Sequence, residues 1–180
     1  MAYSTILRAA ARTLLPVLLG GGCCANSVCN CPGEDQADAV RLLFAAGFSR
    51  ADLDTLVVQR YPKINKTNAK PDVVTLVRTP EHAYDTLFIN NSAPFAPRGT
   101  TKLDGYSYRV RYLRHATGRR NNAELALVLD SVQLRGSLAG DGCCTCYTNQ
   151  SKVVFVRPDT ARASNTPVEL PRSGIYRISK

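Results

Sequence analysis

The sequence predicts an α+β protein, with N-terminal helices followed by an antiparallel β-sheet of about five to six strands. Hydrophobic residues recur at helical spacing before Pro62, whereas they alternate with polar residues after Pro71. Turn signals rich in glycine and proline separate the alternating segments, and no helical segment lies between them to form parallel crossovers. With 180 residues, the chain is long enough to bury a sizeable core.

Residues 1–33 predict an N-terminal helix followed by a cysteine-rich segment. Arg8 and Arg12 are the only charges of MAYSTILRAAARTLLPVLLGGG, and its apolar residues recur at helical spacing. The pattern fits a structural helix kept in the mature protein, a mitochondrial presequence, or a secretory or lipoprotein signal before Cys23. No apolar run reaches the ~18 residues that a spanning helix needs, so we expect no membrane partner.

Residues 34–70 predict a helical hairpin and a polar connector. The first helix ends at Gly47 and has one apolar face, formed by Ala37, Val40, Leu43 and Phe44. Ser49 and Asp52 resemble a capping box that opens a second helix. Pro62 is predicted to end that helix.

Residues 71–180 predict the antiparallel β domain. Its candidate strands are rich in branched and aromatic residues, and turn signals bound them. In chain order they are DVVTLVR, YDTLFI, YSYRVRYL, AELALVLDSVQL, SKVVFVR and SGIYRIS. The segments GSLAGDG and RPDTARASNTP are predicted to be turns.

Seven cysteines fall in two clusters, CCANSVCNC and CCTC, which suggests that these two distant segments meet. Zinc is the one cofactor that the pattern suggests, because four thiolates satisfy its tetrahedral coordination. The candidate ligands are Cys29, Cys31, Cys144 and Cys146. Disulfides between the clusters and reduced, buried cysteines are the alternatives, and an odd total leaves at least one thiol free or paired to another molecule.

The formal net charge of +9 is unevenly placed. Residues 98–180 contain 14 basic and 6 acidic residues, a net of +8, whereas residues 1–97 contain 9 basic and 8 acidic residues, a net of +1. Such a field attracts phosphate backbones or anionic membranes at long range. A soluble protein that merely happens to be basic is the alternative.

Sequence signatures of enzymes are mostly missing. The chain contains no phosphate-binding G-x-x-x-x-G-K-[ST], no G-x-G-x-x-G and no H-E-x-x-H motif. His82 lies near Glu81 and Asp85, a pattern more typical of a loop than of an acid-base site. We therefore expect a non-enzymatic protein with no small-molecule substrate.

The segment YRVRYLRHATGRRNN is the strongest functional candidate. As a strand it places Tyr106, Tyr108, Val110 and Tyr112 on one face and Arg109 and Arg111 on the other. Further basic residues are Arg114, Arg119 and Arg120 at the following turn, and Lys152 and Arg157 on the candidate strand SKVVFVR. Arginine suits phosphate through its planar fork of donors, so these residues predict an RNA-binding sheet face. Arginines that merely face water are the alternative.

Two segments, PRGTTKLDGYSYRVRYLRHATGRRNNAELALVLDSV and SKVVFVRPDTARAS, resemble the central strands of coat proteins of single-stranded RNA bacteriophages. A strand ending in arginine leads through a basic turn to a long alternating strand, and a last strand has a DTA-like exit. The resemblance implies a sheet that faces packaged RNA and a dimer that builds an icosahedral shell. The basic residues on the RNA-facing side would then be Arg109, Arg111, Lys152 and Arg157. The chain departs from the family in topology, because the family's helices follow the sheet.

We therefore expect a structural subunit, located in a virion, that self-assembles and packages RNA through a basic sheet face. The alternative is an accessory subunit of a ribosome or respiratory complex in a mitochondrion, with a cysteine-held metal or disulfides. A third interpretation is a lipid-anchored protein that uses Cys23 and Cys24.

Overall fold

The computed structural model describes residues 31, 34–63, 70–98, 101–114, 122–141, 144–157 and 164–180. Apart from Cys31, the predicted N-terminal helix and cysteine-rich segment lie outside these residues. The helices are α1 (Glu34–Asp38) and α2 (Arg50–Leu53). The strands are β1 (Val40–Phe44), β2 (Thr55–Pro62), β3 (Asp72–Val77), β4 (Leu87–Ile89), β5 (Tyr106–Arg114), β6 (Asn122–Asp141), β7 (Cys144–Arg157), β8 (Thr166–Pro171) and β9 (Ile175–Ile178).

The predicted helical hairpin over 34–70 is wrong for most of its length. Its first helix is reduced to α1, and the residues that follow form β1, where buried and half-buried side chains alternate. Its second helix opens with the predicted capping box of Ser49 and Asp52, but α2 has only four residues and β2 replaces the rest. Short apolar runs fit the helical period as well as the strand period of apolar residues. Pairing with neighbouring strands decides which structure forms.

Six strands form an antiparallel sheet in the order β3-β2-β5-β6-β7-β8, which confirms the predicted type of sheet. Val58 of β2 pairs with Val74 of β3 on one side and with Val110 of β5 on the other. Strand β6 extends through residues predicted to form the GSLAGDG turn, up to Asp141, and β7 begins at Cys144, before the predicted strand SKVVFVR. Strand β8 begins within the last two residues of the predicted RPDTARASNTP turn and continues to Pro171, a stretch for which no strand was predicted.

Three further strands form a second sheet in the order β4-β1-β9. Strand β1 pairs antiparallel with β4 and parallel with β9, where Leu42 lies opposite Tyr176. The expectation that parallel pairs are missing is therefore wrong. A parallel pair needs a crossover connection, and here the whole six-stranded sheet lies between β1 and β9 along the chain.

One hydrophobic cluster combines buried residues of both sheets. The face of β5 that carries Tyr106, Tyr108, Val110 and Tyr112 packs into it, as the alternation predicts. Other fully buried members are Val40, Leu42, Leu53, Leu56, Val58, Ile89, Leu129, Val154 and Ile178. The opposite face of β5, with Arg109 and Arg111, is half-buried.

The chain divides into two compact units. One contains residues 33–137 and 148–180, which include both sheets. The other contains residues 1–32 and 138–147, of which the structure describes Cys31 and the adjoining ends of β6 and β7. Within the described ranges, the helices are too short or too polar to cross a bilayer.

Candidate nucleic-acid interface

Arg109 lies on the face of the six-stranded sheet opposite the core. Its position on β5 pairs with Gln59 of β2 and Val128 of β6, so it is near the middle of that face. The guanidinium carbon of Arg109 lies 4.8 Å from the centroid of the Tyr61 ring. The tyrosine hydroxyl donates a hydrogen bond to the side-chain oxygen of Gln59 at 3.2 Å. The contacts give the arginine a flat aromatic neighbour on the surface of the sheet.

Arg109 and Arg157 line one open cleft on this face, with a volume of about 210 Å³. We call it the Arg109–Arg157 cleft; its other lining residues are Tyr61, Pro62, Ser107, Val128 and Asp130. Strands β2, β5, β6 and β7 all contribute to it. Asp130 accepts a hydrogen bond from the amide of Asn165 at 3.2 Å. The cleft thus combines two guanidiniums, one aromatic ring and one carboxylate.

Arg111 lies outside this cleft. It follows the point at which the β5–β6 register shifts, between Val110 and Arg111. Its guanidinium donates a hydrogen bond to the carbonyl oxygen of Ala123 at 3.1 Å. Arg114 ends β5, and its position pairs with Asn122. Two further candidates, Arg119 and Arg120, lie outside the described residues.

Lys152 does not belong to the solvent-facing surface predicted for it. It is fully buried, and its ammonium donates hydrogen bonds to the carbonyl oxygens of Ala37 and Ala39, both at 2.7 Å, and of Arg172 at 3.1 Å. Side chains alternate along a strand, so Lys152 and Arg157, separated by an odd number of positions, point to opposite faces. This difference in orientation follows from their positions in the sequence.

The environment of Lys152 explains how an ammonium is tolerated in the core. Burial lowers the pKa of Lys152 to about 8, and the Asp38 carboxylate opposes that shift while Arg41 and Arg172 add to it. Asp38 is itself buried. Three carbonyl acceptors and a nearby carboxylate thus replace the water that the ammonium loses.

The two cysteine clusters meet, because Cys31 and Cys146 form a disulfide with their Cα atoms 5.4 Å apart. Cys144 is also disulfide-bonded. Oxidised sulfurs are not thiolate ligands, so three of the four residues suggested for zinc do not offer thiolates in this form. Among the described residues, no group of three or more His, Cys, Asp or Glu side chains is placed to hold a metal ion. Cys29 lies outside the described residues.

Tyr61 and Asp130 are residues of the cleft that sequence reasoning missed. Tyr61 lies in the segment predicted to be helical, so the sequence did not place it on a strand of the sheet. Asp130 lies two positions beyond Val128, a spacing that places both residues on the same face of β6. The register of β6 against β5, which brings Asp130 toward Arg109, depends on a bulge that the sequence does not indicate.

Comparison of the chain with protein-family models, curated proteins and solved structures gave no significant match.

Proposed function

We propose that this protein is a non-enzymatic structural subunit, similar to a viral coat protein, that self-assembles and binds RNA through the outer face of its six-stranded sheet. The observation that carries the proposal is the convergence of Arg109, Arg157 and Tyr61 on one open cleft. The resemblance of residues 97–163 to the strands of phage coat proteins supports the coat-like role.

The two arginines supply the affinity for a phosphate backbone. Guanidinium groups bind phosphate oxygens with paired donors, and each neutralised phosphate releases bound counterions. Arg157 ends β7 and Arg109 lies in the middle of β5, so both are fixed on strands. Groups held on strands are positioned more exactly than groups on loops.

The Tyr61 ring and the Asp130 carboxylate give the cleft a means of contacting bases. Unpaired bases stack on aromatic rings and on guanidinium planes, and Arg109 with Tyr61 presents both. The Asp130 carboxylate accepts hydrogen bonds from the exocyclic amines of bases. The Asp130 carboxylate also repels phosphate. The cleft therefore favours an RNA strand that places a base, and not its phosphate, beside Asp130.

Charge reversal at the cleft tests RNA binding. We expect R109E and R157E each to lose most of the RNA that copurifies with the wild-type protein, because reversal replaces an attraction for phosphate with a repulsion. R177E is the matched control, since Arg177 is exposed on β9 of the other sheet and the change in net charge is the same. The measurement is the ratio of absorbance at the nucleic-acid and protein maxima, before and after nuclease treatment.

Electron microscopy of the purified wild-type protein tests assembly. Large particles that carry RNA are expected, since many weak sites act together once subunits assemble. A monodisperse monomer without nucleic acid would overturn the proposal, as would equal RNA retention in R109E, R157E and R177E.

A second candidate function is an accessory subunit of a larger complex in an oxidising compartment. The Cys31–Cys146 disulfide favours it, because disulfides persist where thiols are not kept reduced. Copurification with a defined set of other proteins, in place of homogeneous particles, would support this candidate.

A further inference from the structure

A second arginine-lined cleft lies at the three-stranded sheet, away from the residues of the Arg109–Arg157 cleft. It has a volume of about 270 Å³ and is lined by Gln36, Ala37, Arg41, Arg172 and Ser173. We call it the Arg41–Arg172 cleft. Its residues come from α1, from β1 and from the turn between β8 and β9.

Positive charge is concentrated here. Arg41 and Arg172 line the cleft and both lower the pKa of the neighbouring Lys152, whereas the Asp38 carboxylate raises it. An anion in the cleft would relieve the repulsion between these cations.

Arg41 has a donor that the described residues do not use. It follows Val40 on β1, and its guanidinium carbon lies 5.6 Å from the centroid of the Phe88 ring. One terminal nitrogen donates to the carbonyl oxygen of Ser173 at 3.4 Å, but Nε is shielded from solvent and meets no acceptor within the described part of the chain. Because Nε is shielded, an anion in the cleft would bind the terminal nitrogens of Arg41.

The turn that carries Arg172 and Ser173 is held in place. Lys152 binds the carbonyl oxygen of Arg172, and the amide of Gly174 donates to the carbonyl oxygen of Pro171 at 2.8 Å. A Cβ at Gly174 would lie 2.7 Å from the ring of Pro171, so the close approach requires glycine. The Arg172 backbone is therefore positioned before any ligand binds.

We propose that the Arg41–Arg172 cleft binds a tetrahedral oxyanion, namely a phosphate or sulfate group. The two guanidiniums supply paired, charged donors, and the Ser173 hydroxyl and Gln36 amide supply neutral ones. The cleft is open, so it admits either a free anion or the phosphate of an ester.

Titration with inorganic phosphate and, separately, with glycerol phosphate tests this site. Concentrations stay in the low millimolar range at constant ionic strength, because high concentrations of these anions stabilise proteins by exclusion from the surface. We expect saturable heat in calorimetry and a rise in thermal midpoint. The tighter of the two ligands identifies a free anion or an ester as the species bound.

The variants R41M and R172M should each weaken binding by about tenfold or more, because each removes charged hydrogen bonds. If R41M fails to fold, R172M still tests the site, because Arg172 is exposed and its replacement should leave the fold intact. R177M is the control and should bind as the wild type does. Phosphate also has access to Arg157, so the titration is repeated with R157M, which should keep the response.

The absence of saturable binding by the wild-type protein would overturn the inference. So would equal binding by R172M and R177M. Both results are independent of RNA retention, which depends on other residues.

Discussion

The ammonium nitrogen of Lys152 lies 2.7 Å from the carbonyl oxygen of Ala39. The contact joins β7 of the six-stranded sheet to the residue that precedes β1 of the three-stranded sheet. The three donors of the buried ammonium are all directed at backbone acceptors. The contact therefore fixes the position of β7 relative to the start of β1.

Removal of this ammonium should strongly destabilise the protein. K152M leaves three carbonyl groups without their donor and leaves Asp38 buried without that cation, so we expect the free energy of unfolding to fall by about 3 kcal/mol or more. Urea denaturation measures it. K70M, at an exposed lysine, should change stability by less than about 0.5 kcal/mol. Equal effects of the two variants would contradict the structural role.

Stability should rise with pH above pH 8. The pKa of Lys152 is lowered to about 8 from an ordinary value of 10.5, so between these values the unfolded chain binds the proton that the folded protein has released. The free energy of unfolding then increases with pH, by roughly 1 kcal/mol per unit. Tyr108, whose pKa is raised by burial, has the opposite effect above pH 10. Denaturation curves from pH 7 to pH 10 should show the rise in the wild type and a smaller one in K152M.

Two arginines that share one carboxylate should differ in their effect on stability. Asp72 binds Arg60 at 2.8 Å and Arg98 at 2.6 Å, and the two arginine side chains are 5% and 66% exposed. Arg60 also lies between the rings of Phe95 and Tyr106, at 4.6 and 4.5 Å from their centroids. We expect R60M to cost about 3 kcal/mol and R98M under about 1 kcal/mol in thermal or urea unfolding. The reverse order would contradict the burial seen here.

The Cys31–Cys146 disulfide should be detectable and stabilising. Peptide mapping of the oxidised protein should recover these two cysteines in one linked fragment. The bond closes a loop of 115 residues, so the paired variant C31S/C146S should lose about 2 to 4 kcal/mol of unfolding free energy. Alkylation of Cys146 in native, oxidised protein would show that the bond is not formed.

RNA retention should depend steeply on salt if the Arg109–Arg157 cleft binds phosphate. The slope of the logarithm of affinity against the logarithm of salt concentration should become shallower by about one in R157M, because one phosphate contact is lost. R177M should keep the wild-type slope. Filter binding with a homopolymeric RNA at several salt concentrations gives both slopes.

Apart from β8, the strands from β3 onward were largely predictable, since they carry branched and aromatic residues between turn signals. Strand β1 was not, because Val40, Leu43 and Phe44 fit a helical face as well as a strand. Its partners β4 and β9 lie far away in sequence, and only their pairing decides its conformation.

The candidate site was predictable in part. Alternation along β5 placed Arg109 outside and Tyr108 inside, as the structure has them. The prediction that Lys152 faces solvent was wrong. Lysine side chains usually face water, but the position of Lys152 on β7 faces the core. Tyr61 can be assigned to the cleft only once β2 is known to pair with β5, and local sequence patterns do not indicate that long-range pairing.

The parallel pairing of β1 with β9 has a consequence for biosynthesis. The three-stranded sheet stays incomplete until Ile178 has left the ribosome, and Lys180 then bonds to Asp52, which lies 128 residues earlier. Contacts of such long range slow folding, because the chain must first close a large loop. The nascent protein therefore exposes the apolar side of β1 until β9 has been made, so the first of the described strands depends on the last of them for protection from aggregation.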